Sequence, residues 1–277
     1  MPRIQGVDWA AVADEVRDGR LRLDCDQRIV LCRKAAELAT LLEAAGCAHR
    51  DISSGNTFIN TTTWDVAFID FDSVFHASLK MPKATTCGSE GYTPPFVWKN
   101  GRPRPEVTWC AQADRFALAL ICSEFLTIDK GSPVGAEGGM FDQEHLHHRA
   151  GVTVRHVAAR LRDSYPDALT LFETALRSQR CADCPSPESW LAFCDARIGP
   201  TVTPPALDDL EAVLLEDFMQ ILQRRRPAAP VWPAPSLDQL PIEPLGVPQP
   251  VVRLPEDPWT HGVADVVFRT WENPRCR

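Results

Sequence analysis

Three oxygen-bearing side chains stand in close order near the start of the chain. Asp51 and Asn56 lie in the run His49-Arg50-Asp51-Ile52-Ser53-Ser54-Gly55-Asn56. Asp70 follows in Asp70-Phe71-Asp72, at the end of an apolar run. Residues of these types can serve phosphoryl transfer, which asks a protein mainly for positioning and charge neutralisation. The Asp51 carboxylate could sit beside an acceptor hydroxyl and orient it. The amide oxygen of Asn56 and the carboxylate of Asp70 are hard donors of the kind magnesium takes, and Asp72 adds a carboxylate that could join the same ion. The plainer reading is that Asn and Asp at such places simply close hydrogen-bonded turns.

The elements that must position these groups are legible on either side. Asp8–Arg20 has the pattern of a short amphipathic helix, with Trp9, Val12 and Val16 near one face. Ile29, Leu31, Ala35, Leu38, Leu42 and Ala45 recur at helical spacing and predict a helix over Asp26–Ala45. Asp24 or Asp26 can cap it and Gly46 ends it. Thr57–Asn60 and Val66–Ile69 predict a β hairpin around a run of threonines. Residues 76–110 carry five prolines and little periodicity, which predicts a long ordered loop. Ala113–Leu126 is apolar nearly all round, the signature of a buried helix. Further helices are predicted at Pro166–Ser178, Pro187–Ile198 and Pro205–Arg226. Residues 227–258 hold ten prolines, which predicts an extended spacer or a ligand for a proline-motif-binding domain. Val263–Trp271 is compatible with a short strand or helix.

The run 49–56 resembles the catalytic loop of the protein kinase family, and Asp70-Phe71-Asp72 resembles its metal-binding Asp-Phe-Gly turn. Gly88-Ser89-Glu90-Gly91-Tyr92-Thr93-Pro94-Pro95 looks like the end of the family's activation segment. The likeness spans about residues 8–198, in order and spacing. It implies a mainly α fold: a kinase-like C-lobe over 1–200 with a small β hairpin, then a helix over 201–226 and a proline-rich tail over 227–277. It implies Asp51 as the base and Asn56 and Asp70 as ligands of magnesium, with ATP as donor and a protein serine or threonine as acceptor. His49 and Arg50 would be structural supports, and Asp114 would hydrogen-bond the loop's backbone. Arg50 could meet a phosphorylated residue, with Thr85, Thr86 and Ser89 as the hydroxyls at hand.

The departures from the family pattern bear on activity. Ser53 stands where serine/threonine kinases carry a lysine that contacts the transferring phosphate, and Asp72 replaces a glycine. Phe96 replaces the glutamate that typically ends the activation segment, and its usual arginine partner is missing from Cys184-Pro185-Ser186 as well. Losing both charges together avoids burying either one unpaired. Residues 1–48 contain no glycine-rich loop and no strand lysine with its helix glutamate, so the N-lobe is absent. The expectation is therefore a partial kinase domain, completed by an upstream segment or by a partner chain. Two alternatives stand beside it: a non-catalytic interaction module, and a small-molecule kinase, which Asp72 favours.

The bulk properties narrow the class. The chain has 277 residues, 44% of them hydrophobic, enough for one sizeable core and a tail. A formal charge of −8 argues against nucleic acid and anionic membrane as partners. No secretory leader or membrane-length apolar run is visible, and the ten scattered cysteines fit buried thiols, so a cytoplasmic protein is expected. Cys181-x-x-Cys184 with Cys194 lacks a fourth zinc ligand close in sequence, which favours thiols over a metal site. Glu144, His145, His147 and His148 lack metalloprotease order and read as a solvated segment.

Overall fold

In the computed structural model, residues 6–198 are described. The helix predicted over 205–226, the proline-rich stretch 227–258 and the segment 263–271 all lie outside the described residues. The described chain is mainly helical with small sheets. In chain order it runs β1 (Val7–Asp8), α1 (Trp9–Arg17), α2 (Cys25–Ala44), β2 (Cys47–Ala48), β3 (Thr57–Asn60), β4 (Asp65–Phe68) and β5 (Phe75–His76). There follow β6 (Trp98–Lys99), β7 (Arg102–Pro103), α3 (Arg115–Thr127), α4 (Gln143–His147), α5 (Val152–Ser164), α6 (Pro166–Arg177) and α7 (Pro187–Ile198). No helix among the described residues is long and apolar enough to cross a membrane.

The helix ends follow from local chemistry. Asp8 caps α1 by accepting from the Ala11 amide at 2.8 Å. Asp24 and Gln27 form a reciprocal capping box at the start of α2. Gly46, at φ +68°, takes the left-handed conformation that turns the chain out of α2. Pro166 and Pro187 open α6 and α7, where a missing amide costs nothing.

At the centre lies α3, buried from Phe116 to Thr127 and packed against α2, α5 and α6. It begins at Arg115, two residues later than predicted, because Ala111–Asp114 tighten into a 3₁₀ turn. It is also less apolar than its sequence reads. Glu124 is fully buried in it and accepts from Trp9 Nε1 (2.8 Å), Met140 N (2.7 Å) and Tyr92 OH (3.0 Å). One carboxylate thus ties α1, the 88–95 segment and the 135–141 loop to the central helix. Arg28 of α2 reaches across to the C-terminal carbonyls of α3, donating to Phe125 O and Ile128 O at 2.9 and 2.6 Å. Arg115 at the other end pairs with Glu43 of α2.

The predicted hairpin forms as β3 and β4, with Thr57 opposite Phe68 and Asn60 opposite Asp65. Its second strand is shifted one residue toward the N-terminus, and Ile69 lies beyond the ladder with its amide donated to Asn56 O at 3.0 Å. The sequence reading missed that β1 adds a third strand on β3. It also missed α5: Val154, Val157 and Leu161 have helical spacing, but Arg155, Arg160 and Arg162 dilute the stripe. The 76–110 segment is largely irregular, as expected, broken by short 3₁₀ turns and the small β6–β7 pair.

Burial pushes the Glu124 carboxyl above its ordinary 4.5, against the pull of its three donors. A carboxyl raised in the folded state binds its proton more tightly there than in the unfolded chain, so its contribution falls as pH rises above 4.5. Glu124→Gln should lower stability by about 1–3 kcal/mol at pH 7, because a side-chain amide cannot accept from all three donors. Urea unfolding from pH 4.5 upward should show the wild-type advantage over the variant shrinking as pH rises. An advantage that grows with pH would contradict the assignment.

Candidate functional site

The loop 49–56 joins β2 to β3, and its backbone is held from below by Asp114. The two oxygens of this buried carboxylate accept from His49 N at 2.6 Å and Arg50 N at 2.7 Å. Burial pushes the Asp114 carboxyl up, while the two amide hydrogen bonds and the Arg50 charge pull it down. Because Asp114 closes the 3₁₀ turn leading into α3, the loop is fixed directly to the most buried element.

His49 is fully buried beside the rings of Phe68 and Phe71, at centroid distances of 5.9 and 4.4 Å. Its Nδ1 accepts from Asp51 N at 3.2 Å and its Nε2 faces Ile69 O at 2.8 Å. That pairing requires the neutral tautomer with the proton on Nε2. The imidazole therefore clamps the loop to the residue just before Asp70. Arg50, also buried and at φ +67°, points the other way. Its guanidinium lies 4.7 Å over the ring of Trp109 and donates to Thr108 O (2.9 Å), Ser73 O (3.0 Å) and Thr86 O (3.1 Å). It also donates to the hydroxyls of Thr85 (3.0 Å) and Thr108 (3.1 Å). Burial lowers its pKa, but an arginine keeps its charge.

Between these supports lies the half-buried Asp51. Asn56 Nδ2 donates to Asp51 O at 2.9 Å and to Asp51 Oδ2 at 3.2 Å. The nitrogen end of the amide is thereby committed, and Asn56 Oδ1 meets no donor among the described residues. Ser53, in the position where the resemblance implies a lysine, is buried, and its hydroxyl accepts from Asn56 N at 3.3 Å. Asp70 is exposed at φ +63°, ψ +68°, a left-handed conformation that aspartate and asparagine adopt more readily than other non-glycine residues, and its carboxylate has no hydrogen bond among the described residues. The Asn56–Ile69 backbone bond brings Asp70 next to Asn56 across the strand ends. Asp72 is exposed on the same turn. Among the described residues there is no cluster of three or more His, Cys, Asp or Glu side chains able to hold a metal unaided. Asn56 and Asp70 could supply two oxygen ligands, with phosphate oxygens and water completing the octahedron magnesium needs.

On the acceptor side, Ser89 Oγ donates to Asp51 Oδ1 at 2.8 Å. Gly88 before it sits at φ +108°, where a Cβ would come within 3.2 Å of Arg50 O. Gly91, at φ +81°, packs so closely that a Cβ would be 2.4 Å from Phe141 O. Glu137 lies on this side, near Asp51 and Glu90. Burial and the charges of Asp51 and Glu90 push its carboxyl upward.

Of the residues named from sequence, Asp51, Asn56, His49, Arg50 and Asp114 thus form one connected network. Thr85 and Ser89 join it through their hydroxyls, and Thr86 through its carbonyl. Thr108, Trp109 and Glu137 were missed, since a loop without periodicity gives no sign of which residues turn inward. The thiols at 181, 184 and 194 are free and buried, as expected, and His145 and His147 lie on the short helix α4. No protein-family model matches the chain, and no curated protein matches it.

Asp114→Asn tests the anchor. One carboxylate oxygen becomes an amide NH2 group that cannot accept, leaving a loop amide unpaired at a cost of about 1–3 kcal/mol. Hydrogen exchange should speed up at the His49 and Arg50 amides, and urea unfolding should report the loss. Unchanged protection at both amides would show that the loop is held some other way.

Proposed function

We propose that the chain carries a protein kinase-like phosphotransfer site, with ATP as donor and a protein serine or threonine hydroxyl as acceptor. The observation that carries this reading is the disposition of Asp51. Its carboxylate is oriented by Asn56 on one oxygen and already receives a serine hydroxyl on the other, the geometry a base needs toward an acceptor. The uncommitted oxygen of Asn56 and the exposed carboxylate of Asp70 suit magnesium bridging the phosphates of ATP. When bound, that ion would neutralise charge on the transferring phosphoryl group. Asp51 would accept the hydroxyl proton, and Ser89 would leave Asp51 Oδ1 as the acceptor arrives. The Arg50–Thr85 contact supports a phosphate on Thr85 being held by the same guanidinium. An α-rich kinase C-lobe is the fold that best unites these elements.

Ser53 favours a second reading. A buried serine in place of a phosphate-contacting lysine weakens the grip on the transferring group, as a non-catalytic binding module would tolerate.

Titration of the full chain with ATP and magnesium, followed by transfer assays on a mixed protein acceptor, separates the two. We expect magnesium-dependent ATP binding that Asp70→Asn weakens at least about tenfold, the loss of a metal-ligand carboxylate. We expect transfer that Asp51→Asn reduces by about 10²-fold or more while ATP binding persists. ATP binding with no transfer would favour the module. Binding and transfer unaffected by either substitution would refute the site.

A further inference from the structure

The β6–β7 pair is a tight hairpin whose tip carries two cations with no role in the fold. Asn100 and Gly101, at φ +53° and +71°, both take the left-handed conformation of a two-residue type I′ turn. Lys99 and Arg102 flank that turn and stand directly opposite each other in the ladder. Residues paired in this way project from the same face, with Cβ atoms about 5 Å apart. Like charges so placed destabilise a hairpin, and these strands are only two residues long. Both residues are exposed, and among the described residues neither side chain has a hydrogen bond or an ion pair. The hairpin is nevertheless firmly seated. Trp98 alternates to the opposite face, where its ring centroid lies 5.9 Å from that of His147 on α4. Arg104 closes the base, its amide donating to Val97 O at 3.0 Å and its Nη2 to Phe96 O at 2.7 Å.

We propose that the Lys99–Arg102 pair is a docking site for a carboxylate-rich peptide segment of a partner protein. Anionic oxygens beside the two cations replace their mutual repulsion with two attractions, and the seated hairpin presents both without rearranging its backbone. In an extended peptide, alternate residues share one face about 6–7 Å apart, a spacing that two long cationic side chains can meet. A single phosphate group is recognised by converging bidentate forks, which the Lys99 ammonium cannot form. Nucleic acid and anionic membrane call for a broader basic field than two residues on a chain of net charge −8. That same net charge repels an acidic peptide from the rest of the surface, so binding is local to the hairpin tip and weakened by salt. The docking uses neither ATP nor Asp51 and stands apart from the phosphotransfer reading.

The test titrates the isotope-labelled full chain, without ATP, with a peptide of alternating glycine and glutamate, and follows the backbone amides by nuclear magnetic resonance. Shifts should concentrate at residues 98–103, and the same peptide with glutamine for glutamate should leave them unmoved. Raising the ionic strength from about 0.05 to about 0.3 M should weaken binding severalfold. Lys99→Glu should weaken it at least about fivefold, the loss of an exposed ion pair and the gain of a repulsion. The same substitution sets opposite charges across the ladder, so amide hydrogen exchange in the hairpin should slow. Because the wild-type shifts need no substitution, a variant that fails to fold does not blunt the test. Shifts centred elsewhere or absent, an equal response to the glutamine peptide, or undiminished binding in Lys99→Glu would each overturn the proposal. So would faster exchange in that variant, or tighter binding of a phosphoserine peptide or of oligothymidylate. A chain that binds the peptide but neither binds ATP nor transfers phosphate would sustain this proposal while refuting the phosphotransfer site.

Discussion

The structure depends on one buried carboxylate. Asp114 gives an oxygen to each of two consecutive amides, His49 and Arg50, and so fixes the loop to the start of the central helix. Two amide donors satisfy a charge that burial would otherwise make costly. With those amides fixed, the side chains they carry are aimed in opposite directions. His49 reaches toward Ile69 and the turn bearing Asp70, while Arg50 reaches toward the 73–109 segment. Asp51 is left between them, half-buried, its two oxygens held by Asn56 and Ser89.

Two buried polar side chains on or beside α3 therefore do the organising. Asp114 governs the loop, and Glu124, ten residues on, governs the surroundings of Tyr92, Trp9 and the 135–141 loop. The 88–95 segment is gripped at both ends, through Ser89 on Asp51 and Tyr92 on Glu124. An irregular stretch with five prolines can be ordered only by contacts of this sort, because it has few backbone ladders of its own. The Arg50 guanidinium does the same for residues 73–109, replacing lost hydration with carbonyls, hydroxyls and a π face.

Much of this was legible in the sequence, for identifiable reasons. The α2 boundaries follow from Asp24, Gln27 and Gly46, and the helix starts at 166 and 187 follow from prolines. Asp51 and Asn56 meet because only five positions separate them, whereas the bond from Asp114 to the loop, 64 and 65 positions away, was expected only from the family resemblance. What escaped depended on long-range placement. The strand Val7–Asp8 exists only because β3 offers it an edge, and two residues carry no pattern. Glu124 hid inside an apolar helix because its three partners lie 16, 32 and 115 positions away. Thr108 and Trp109 sit in aperiodic chain, where inward and outward residues look alike.

The central claim is the proposal that Asn56 and Asp70 hold one divalent cation beside the base Asp51. Manganese is a paramagnetic substitute for magnesium at oxygen sites, and it broadens nuclear resonances close to where it binds. Titrating the isotope-labelled chain with manganese in the presence of ATP should selectively broaden the side-chain amide of Asn56 and the backbone amides of Asp51 and Asp70, and excess magnesium should restore them. Broadening confined to other acidic surfaces, with those three signals intact, would contradict the account.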